Sequence, residues 1–323
     1  MITQIIYLIA SFVLTAILGK IIIPILKKLK IGQSERLDGP RAHLKKQGTP
    51  TMGGIMMIIS IVVFSAIYCV VFQDAQKVIP MLAVCFSSIG FGIVGFIDDF
   101  KKVVLKNTEG LNPKLKMLGL LVIATIYTIF LVQFTENGTD IIIPLINYNL
   151  ILPLWIYVPF TILVMLSATN AVNLTDGVDG LAGSVCAIMI TAISIIAIKL
   201  GYESVSIFGS IVVGACLGFL IYNFYRAKVM MGDTGSLLLG GVIASMTIYM
   251  KLPLILLIVA IIPILETLSD ILQVIYFRKT GKRLFRMAPL HHHFELKGWR
   301  ENRVVAVFSG ITLVASIIAV LIV

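Results

Sequence analysis

Long apolar runs alternate with short polar segments along most of this chain. A helix needs about 20 apolar residues to cross the hydrocarbon core of a bilayer, and ten stretches approach that length. They are 2–26, 52–72, 79–97, 115–134, 151–171, 180–199, 204–222, 236–250, 254–277 and 303–323. The pattern predicts an all-α integral membrane protein of about ten transmembrane helices, folded as a single domain over 1–323.

The polar segments between these runs differ in their content of Lys and Arg, and the difference alternates along the chain. The segments rich in basic residues are 27–46, 101–116, 226–228 and 278–303. The alternate segments hold little more than Lys77, Lys199 and Lys251. Because cytoplasmic loops carry the excess of Lys and Arg, the rich segments are predicted to face the cytoplasm, and both termini are predicted to lie outside.

One of the outer segments, near 135–149, carries a turn signal between apolar residues. Asn137-Gly138 is the kind of dipeptide that most strongly favours a two-residue turn between antiparallel strands. The pattern predicts a small β-hairpin on the outer side of the membrane, without a role in catalysis.

The composition supports the membrane interpretation and excludes an ordinary soluble domain. The chain is 59% apolar and 13% charged, whereas soluble domains carry about 25% charged residues. All four cysteines lie in apolar runs, so no disulfide framework is expected. The formal net charge of +10 belongs to the predicted cytoplasmic face, where it suits anionic lipid and an anionic substrate. No nucleic-acid partner is expected.

A polar island at 170–180 separates two uncharged apolar runs. It contains two Asp, two Asn and two Gly, which is more than a helix cap requires. If the segment enters a helix, Asn173, Asp176 and Asp179 line one face at i, i+3 spacing. These side chains are therefore predicted to form part of a binding site at the membrane surface. The alternative is an ordinary polar turn with helix N-caps.

The third predicted span ends in two adjacent carboxylates, Asp98 and Asp99. Neighbouring side chains on a helix point about 100° apart, so the two are predicted to have different jobs. Asp98, Lys102 and Lys106 share a face at i, i+4 spacing. This spacing places a base or metal ligand in line with ammonium groups.

The alternative for this cluster is a row of surface ion pairs at a helix end, each worth about a few tenths of a kcal/mol. That interpretation is preferred for Lys101 and Lys116. It is not preferred for Asp98 and Asp99, because ionisable groups at the end of an uncharged span are functional candidates by default.

A Gly-Asp-Thr-Gly-Ser run at 232–236 opens another apolar stretch. Magnesium keeps several waters and binds one or two carboxylates together with substrate phosphate oxygens. Asp233, between two glycines, is therefore predicted to be a magnesium ligand. The alternative is a plain helix N-cap.

The run Lys-Gln-Gly-Thr-Pro-Thr-Met-Gly-Gly at 46–54 leads into the second predicted span. Its donors, including those of Lys46 and Thr51, would suit phosphate oxygens at a helix N-terminus. The alternative is a loosely packed helix start in which Gly53 and Gly54 serve helix contacts.

The ninth predicted span and the segment after it carry further polar residues. Glu266 and Asp270 lie inside the span and are functional candidates. The alternative is that they only pair with Lys20 or with polar groups of neighbouring helices. Pro263 is predicted to kink the helix. The histidines at 291–293 cannot all face one metal, because zinc-binding pairs on a helix use i, i+4 spacing. They are predicted to lie on a loop that presents imidazoles to a phosphate or sugar.

Taken together, these motifs resemble one family. The matching stretches are 46–54, Asp98-Asp99 with Lys102, Lys106 and Lys114, 173–180, Asn223, 232–236 and 289–295. In this order they resemble the phospho-N-acetylmuramoyl-pentapeptide-transferase family, within the polyprenyl-phosphate N-acetylhexosamine-1-phosphate transferase superfamily. The Asp-Asp pair and the Asn-x-x-Asp-Gly-x-Asp-Gly run are shared across the superfamily. Pro-Thr-Met-Gly-Gly and the His triplet are more particular to the muramoyl branch.

The resemblance implies transfer of phospho-N-acetylmuramoyl-pentapeptide from its UDP carrier to undecaprenyl phosphate, giving lipid I and UMP for peptidoglycan synthesis. It also implies a multi-pass protein of the bacterial plasma membrane, a cytoplasmic active site, a homodimer and a magnesium ion on Asp233. The implied catalytic residues are Asp98, Asp99, Lys114 and Asp233. The implied substrate-binding residues are Lys46, Thr51, Lys102, Lys106, Asn173, Asp176, Asp179, Asn223, His291, His292 and His293.

Two schemes remain open for the chemical step, direct attack by the lipid phosphate and a covalent aspartyl intermediate. Direct attack is favoured, because a nucleophile that already carries charge gains little from a covalent relay. Two other functions also remain open. A sister enzyme would use UDP-N-acetylglucosamine, against which the His triplet argues. A non-enzymatic transporter would favour inverted halves with helices broken in mid-membrane, whereas the polar clusters here lie at one face.

Overall fold

The computed structural model describes residues 1–29, 48–103, 105, 110–135, 138–146 and 148–323, so the predicted site residues Lys46 and Lys106 lie outside the described residues. The helices in the described part are α1 (Ile2–Lys28), α2 (Gly54–Val71), α3 (Ala75–Val103), α4 (Pro113–Phe134), α5 (Leu154–Thr175), α6 (Leu181–Lys199), α7 (Glu203–Asn223), α8 (Gly232–Tyr249), α9 (Leu256–Val259), α10 (Ile261–Thr280), α11 (Leu290–Leu296) and α12 (Glu301–Ile322). Two short strands, β1 (Asp140–Ile143) and β2 (Tyr148–Ile151), lie between α4 and α5.

Each apolar stretch predicted to span the membrane overlaps at least one of these helices. Among the described residues, eight helices, α1 to α7 and α12, are long and apolar enough to cross a bilayer. The pair α9 and α10 would make a ninth span if it is counted as one. The predicted all-α membrane fold is therefore confirmed in this coarse form. The exact number of spans and the side of each terminus stay predictions.

The ninth predicted span bends sharply near Pro263, as predicted, and the bend is a full break between two helices. The turn Pro253–Ile255 with α9 meets α10 at an angle of 82°, and the break lies at Ala260, one turn before the predicted kink at Pro263. Proline lacks an N–H group, and its ring clashes with the carbonyl four residues earlier. That carbonyl belongs to Val259, the last residue of α9, so the helix ends there and restarts with Pro263 in its first turn.

Helix α8 lies at the centre of the bundle. All residues from 234 to 249 are buried, and α8 packs against α2, α3, α5 and α6. A helix surrounded by protein on every side needs no polar face. The glycines and serines of α8 let the backbones of neighbouring helices approach closely. The central position of α8 brings its first turn, which carries Asp233, against the ends of several other helices.

The contact between α3 and α8 is especially close. A side chain at Gly95 would collide with the backbone of Asp233, and one at Gly241 would collide with Phe91. Farther along the same two helices, the Oγ atoms of Ser88 on α3 and Ser245 on α8 lie 3.3 Å apart. The absence of a Cβ at Gly95 therefore allows the carboxylates at the end of α3 to reach the start of α8.

Strands β1 and β2 form an antiparallel ribbon that pairs Asp140 with Ile151. The connection is a short helical turn at Pro144–Ile146, whereas Gly138 lies before β1, so the prediction of an Asn-Gly turn between the strands is wrong. Proline cannot donate to the strand ladder, which explains why β1 ends at this point.

Lys251 joins the ribbon to the end of α8. Its Nζ lies 3.0 and 2.9 Å from the two carboxylate oxygens of Asp140, and its carbonyl accepts a hydrogen bond of 2.7 Å from the N–H of Ile142. Burial works to raise the pKa of Asp140, but the hydrogen bonds from Lys251 and Asn149 hold it below its usual value. The ribbon is thus fixed to the α8–α9 connection by a backbone hydrogen bond and by an ion pair.

The orientation predicted from the basic segments can be tested by cysteine labelling. Single cysteines at Gln76 or Glu203, in a variant that lacks the four native cysteines, should react with a membrane-impermeant maleimide on intact cells. Cysteines at Lys282 or Lys297 should react only after the cells are made permeable. Inverted vesicles serve as the control, because they should exchange the two patterns. Labelling of the Lys282 and Lys297 positions in intact cells would place the active face outside.

Candidate active site

The sequence motifs that carry acidic and amide side chains meet around the first turn of α8. The last turn of α3 supplies Asp98, Asp99 and Lys102, and the last turn of α5 supplies Asn173. Asp233 lies on the first turn of α8, as its Gly-Asp-Thr-Gly-Ser run predicts. Motifs far apart in the chain thus converge on Asp233.

The carboxylate of Asp233 contacts three side chains from three helices. Its Oδ2 lies 3.2 Å from Nζ of Lys102 and 2.6 Å from Nζ of Lys116. Its Oδ1 accepts a hydrogen bond of 2.9 Å from Nδ2 of Asn173, which lies 2.8 Å from Oγ of Ser236 as well. Asp233 is therefore the centre of the cluster and not a plain N-cap.

Lys116 was interpreted from the sequence as part of a surface row of ion pairs, and that interpretation is wrong. In the structure it reaches across from α4 to Asp233, and its Nζ also lies 3.7 Å from Oδ2 of Asp98. The i, i+4 rule reports neighbours on one helix only, so it could not find this contact. The sequence could have indicated a role for Lys116, because this residue, like the aspartates, lies at the boundary of an uncharged run.

Asp98 is held by a helix neighbour and by a backbone group. Its Oδ2 lies 2.6 Å from Nζ of Lys102, which confirms the i, i+4 pair predicted from the spacing. Its Oδ1 accepts a hydrogen bond of 2.7 Å from the N–H of Leu111. Asp98 and Asp233 thus share the ammonium groups of Lys102 and Lys116, with the carboxylates on two different helices.

Asp99 faces the backbone of α8 instead of the lysines. Its carboxylate accepts hydrogen bonds from the N–H of Asp233 at 3.2 Å and from the N–H and Oγ1 of Thr234 at 2.9 and 2.6 Å. The first N–H groups of a helix have no partner within the helix, and an acceptor from elsewhere satisfies them. The prediction that the adjacent aspartates have different jobs agrees with this geometry.

The segment that precedes α2 packs directly on the segment that precedes α8. The N–H groups of Gly53 and Gly54 donate to the carbonyls of Met230 and Met231 at 2.9 and 3.0 Å. Gly232 has a φ of +74°, and a Cβ there would lie 2.5 Å from Oδ2 of Asp99 and 2.9 Å from Oγ1 of the buried Thr51. The donors of Gly53 and Gly54 are thus used within the protein. The predicted phosphate contact of Thr51 stays a prediction.

The first part of the polar island, up to Thr175, belongs to the end of α5, and the rest forms a turn between α5 and α6. Helix α5 ends at Thr175, and Gly180 has a φ of +80°. Asn173, Asp176 and Asp179 therefore do not line one helix face, and that prediction is wrong. Asn173 contacts Asp233, whereas Asp179 is buried and accepts a hydrogen bond of 3.0 Å from the N–H of Ala227.

Several carboxylates lie close to this turn. Burial, together with the nearby charges of Asp233, Asp99 and Asp179, raises the pKa of Asp176 well above its usual value. The shift shows that the surroundings disfavour a further negative charge at this position. Asp99, Asp176, Asp179 and Asp233 are thus near one another, and Asp98, beside Asp233, is the fifth carboxylate of the group. Two ammonium groups, those of Lys102 and Lys116, lie against Asp98 and Asp233.

The remaining predicted site residues take different positions. Asn223 is buried, accepts a 3.0 Å hydrogen bond from the N–H of Gly180, and donates one of 2.9 Å to the carbonyl of Val229. Its amide therefore ties the 170–180 island to the segment before α8. Lys114 lies exposed in the first turn of α4, and its catalytic role stays a prediction.

The histidine triplet lies on the short helix α11, not on a loop as predicted. Consecutive helical residues diverge by about 100°, and the three rings accordingly have different partners. His291 meets Glu266 and His292 meets Glu295. Nδ1 of His293 accepts a 3.1 Å hydrogen bond from the backbone N–H of Arg286, and burial, with Lys297 and Arg286, lowers its pKa.

Of the two kinds of partner considered from the sequence, Glu266 contacts a polar group of a neighbouring helix, His291, and not Lys20. Both side chains are buried, with exposures of 0% and 1%, and Oε2 of Glu266 lies 3.0 Å from Nδ1 of His291. The residues are 25 positions apart, and α11 lies beyond the turn that follows α10. Spacing could mark Glu266 as unusual inside an apolar span but could not supply its partner.

A magnesium ion fits the chemistry of the Asp98–Asp233 pair. Within the described part of the chain, no group of three or more His, Cys, Asp or Glu side chains is arranged to hold a metal ion. Magnesium does not require such a group, because one or two carboxylates with waters and substrate phosphates suffice. Asp98 and Asp233 already converge on one cation, the ammonium group of Lys102.

The central part of the chain matches a known family. Residues 81–251 match the model of glycosyl transferase family 4. This range contains Asp98, Asp99, Asn173 and Asp233, and it ends before Glu266 and the histidines. The cluster around α8 therefore lies entirely inside the matching region.

Three relatives named phospho-N-acetylmuramoyl-pentapeptide-transferase align with almost the whole chain. The one from Acetivibrio thermocellus is 47% identical over 312 residues, which cover 96% of this chain and 92% of the relative. The one from Halalkalibacterium halodurans is 48% identical over 313 residues, covering 97% and 95%. The one from Clostridium perfringens is 46% identical over 312 residues, covering 97% and 96%. With nearly half of its residues identical to theirs from end to end, the chain belongs to the phospho-N-acetylmuramoyl-pentapeptide-transferase family, within glycosyl transferase family 4.

Proposed function

We propose that the chain transfers phospho-N-acetylmuramoyl-pentapeptide from UDP-N-acetylmuramoyl-pentapeptide to undecaprenyl phosphate in the membrane, producing lipid I and UMP for peptidoglycan synthesis. The names and the near-complete alignment of the relatives support this activity. The structural observation that carries it is the convergence of Asp98 and Asp233, from α3 and α8, on the same ammonium groups. Phosphoryl transfer depends mainly on such positioning and charge neutralisation.

In the proposed step, an oxygen of undecaprenyl phosphate attacks the phosphorus attached to the sugar. A new P–O bond forms, the bond to the UMP oxygen breaks, and UMP leaves with that electron pair. Asp98, fixed by Lys102 and by the Leu111 N–H, orients the lipid phosphate. Lys102 and Lys116 stabilise the charge that develops on the transferred group. The alternative, a covalent aspartyl intermediate, is separated from direct attack by the experiment below.

Asp233 is proposed to hold the magnesium ion, with Asp98 as the second carboxylate available to it. When bound, the ion neutralises charge on the diphosphate of the donor. Asn173 contributes by holding Oδ1 of Asp233, so that the carboxylate keeps one orientation. Lys102 and Lys116 balance the remaining negative charge of the cluster.

The UDP-sugar is proposed to lie on the side of the Asp233 cluster that faces residues 170–180 and 291–293. Asp176 and Asp179 border its uridine end, together with Asn173 and Asn223. The other residues proposed to contact the donor are Lys46, Thr51, Lys106, His291, His292 and His293. The basic segments support a cytoplasmic position for this face. The family resemblance supports a homodimer and a catalytic role for Lys114.

Two alternatives make different predictions about substrates. A sister enzyme would accept UDP-N-acetylglucosamine, and a transporter would release no UMP from either nucleotide. The relatives' names support the muramoyl donor. The clustering of the charged side chains around the first turn of α8, instead of along a path between two halves, does not favour transport.

Donor selection is the direct test. Purified protein, given magnesium and undecaprenyl phosphate, should release UMP from UDP-N-acetylmuramoyl-pentapeptide at least about a hundredfold faster than from UDP-N-acetylglucosamine, because a site built around buried polar groups rejects a donor that leaves them unpaired. UMP is measured in solution and the lipid product in an organic extract. Equal rates with both donors would assign the chain to the sister activity.

Omitting undecaprenyl phosphate supplies the control for the chemical scheme. Direct attack predicts no UMP release above background without the lipid. A covalent aspartyl intermediate predicts a burst of one UMP per active site in the same mixture, which would contradict the proposed step.

A further inference from the structure

Glu266 is a carboxylate buried completely inside α10, outside the region matched by the family model. Its Oε1 lies 3.2 Å from the backbone N of His291, and its Oε2 lies 3.0 Å from Nδ1 of the same residue. An ionised carboxylate only accepts hydrogen bonds. Glu266 therefore accepts the backbone N–H of His291. With Glu266 ionised, the contact between Oε2 and Nδ1 requires the ring tautomer that carries its proton on Nδ1.

The second ring nitrogen of His291 has no partner in the described part of the chain. Nε2 is buried and makes no hydrogen bond there, and it lies against Gly177, where an added Cβ would overlap it. Buried polar atoms in proteins are nearly always hydrogen-bonded, and an unsatisfied one indicates a missing partner. The polar island that contains Gly177 borders the Asp233 cluster, so this partner is expected to arrive with the substrate.

We propose that Glu266 is a positioning residue that acts through His291. By holding Nδ1–H, it fixes the ring so that Nε2 faces the Asp176-Gly177 segment and meets a polar group of the nucleotide-sugar donor. This inference rests on the proposed function, because the donor is taken to bind beside that segment. The arrangement parallels metal sites, in which a carboxylate fixes the tautomer and orientation of a histidine ring.

A purely structural role is the competing explanation, in which the Glu266–His291 pair only ties α11 to α10. The two roles differ in what happens when His291 is absent. A positioning carboxylate has nothing left to position, so its substitution should add no further loss. A Glu266 that anchors α11 through the backbone N–H of His291 keeps that contact in His291→Ala, so its substitution should add its own cost.

The first experiment observes the ring directly. The chain has four histidines, so protein labelled with ¹⁵N in the imidazole rings gives four pairs of ring signals, and His291→Gln identifies its own. In the wild type, Nδ1 of His291 should be protonated, and UDP-N-acetylmuramoyl-pentapeptide without lipid should shift Nε2. In Glu266→Gln the preference for protonated Nδ1 should be lost. A wild type protonated only on Nε2, or unchanged His291 signals in Glu266→Gln, would overturn the inference.

The second experiment is a double-mutant cycle measured by UMP release. Glu266→Gln should lower kcat/KM for the donor by roughly 10- to 100-fold, the range for losing a hydrogen bond to a charged group. His291→Ala should lower it at least as far, and the double variant should be no worse than His291→Ala alone. Glu203→Gln, the same change at an exposed position, is the matched control and should keep the wild-type value.

Additive losses in the double variant would overturn the positioning role and support a structural anchor. Thermal unfolding of all variants in detergent accompanies the kinetics. Glu266→Asp, which keeps the charge on a shorter side chain, should recover part of the lost rate. A wild type that releases no UMP would overturn the proposed function, whereas failure of this inference appears in the ring signals of the same sample.

Discussion

Replacing Asp233 with Asn is expected to lower turnover by about a thousandfold or more. The substitution keeps the shape of the side chain but removes the charge that Lys102, Lys116 and the proposed magnesium ion share. Removing a single group that stabilises charge in a transition state commonly costs about 100- to 1,000-fold, and Asp233 contacts several such groups at once. UMP release measured over a range of magnesium concentrations gives both the rate and the metal requirement.

Asp74→Asn is the matched control for this prediction. It makes the same chemical change at an exposed position before the first turn of α3, about 35 Å along the helix from Asp98 by the rise per residue. Its rate and magnesium dependence should equal those of the wild type. Near-normal activity of Asp233→Asn at ordinary magnesium would show that the metal is held elsewhere.

Asp98→Asn and Asp99→Asn are expected to fail for different reasons. Asp98 contacts the lysines, so Asp98→Asn should lose about a hundredfold in rate, the scale of positioned acid–base groups. Its melting temperature should be retained, and its magnesium requirement should change less than that of Asp233→Asn, because the carboxylate of Asp233 remains. Asp99 accepts hydrogen bonds from Asp233 and Thr234. In Asp99→Asn, the NH₂ group of the amide would face the N–H and O–H donors of Asp233 and Thr234, and two donors cannot pair with each other. Asp99→Asn should therefore lose activity and also melt at a lower temperature.

Thermal unfolding in detergent and UMP release, measured on the same preparations, separate these roles. Equal destabilisation by the two substitutions would contradict the division between Asp98 and Asp99. Thr234→Ala offers a milder version of the Asp99 change, because it removes one of the three donors. It should lower the melting temperature by less than Asp99→Asn does.

The sequence predicted those parts of the fold that depend on local chemistry. Apolar runs located the helices, the i, i+4 spacing located the Asp98–Lys102 pair, and the Gly-Asp-Thr-Gly-Ser run located the start of α8. Each of these features is set by residues within a few turns of one another. Local spacing is therefore sufficient to find them.

The contacts that spacing missed all cross between helices. Lys116 and Asp233 are 117 positions apart, and Asn173 and Asp233 are 60 apart. Their meeting depends on which helices pack together, which is set by close backbone approaches such as that of Gly95 to Asp233. A glycine in an apolar run indicates that another helix can approach closely there. It does not show which helix does so.

Local patterns also gave wrong or incomplete conformations where backbone geometry decided the outcome. The polar island was assigned one helix face, yet the chain turns at Gly180. The kink predicted from Pro263 is present, but it is a full break of 82° at Ala260, because the proline ring clashes with the preceding turn. In both cases the relevant residue was recognised, and the full change in chain direction around it was not.

The complete burial of α8 bears on how the protein is made in the membrane. Among the described helices, α8 is not one of those apolar enough to enter lipid by themselves, and it carries Asp233 in its first turn. Its neighbours α2, α3, α5 and α6 all precede it in the chain. These four helices are therefore synthesised before α8, whereas the turn Pro253–Ile255, which also contacts it, follows. Asp98 and Asp99 meet Asp233 only after α8 has been synthesised, so a chain that ends before α8 contains no assembled acidic cluster.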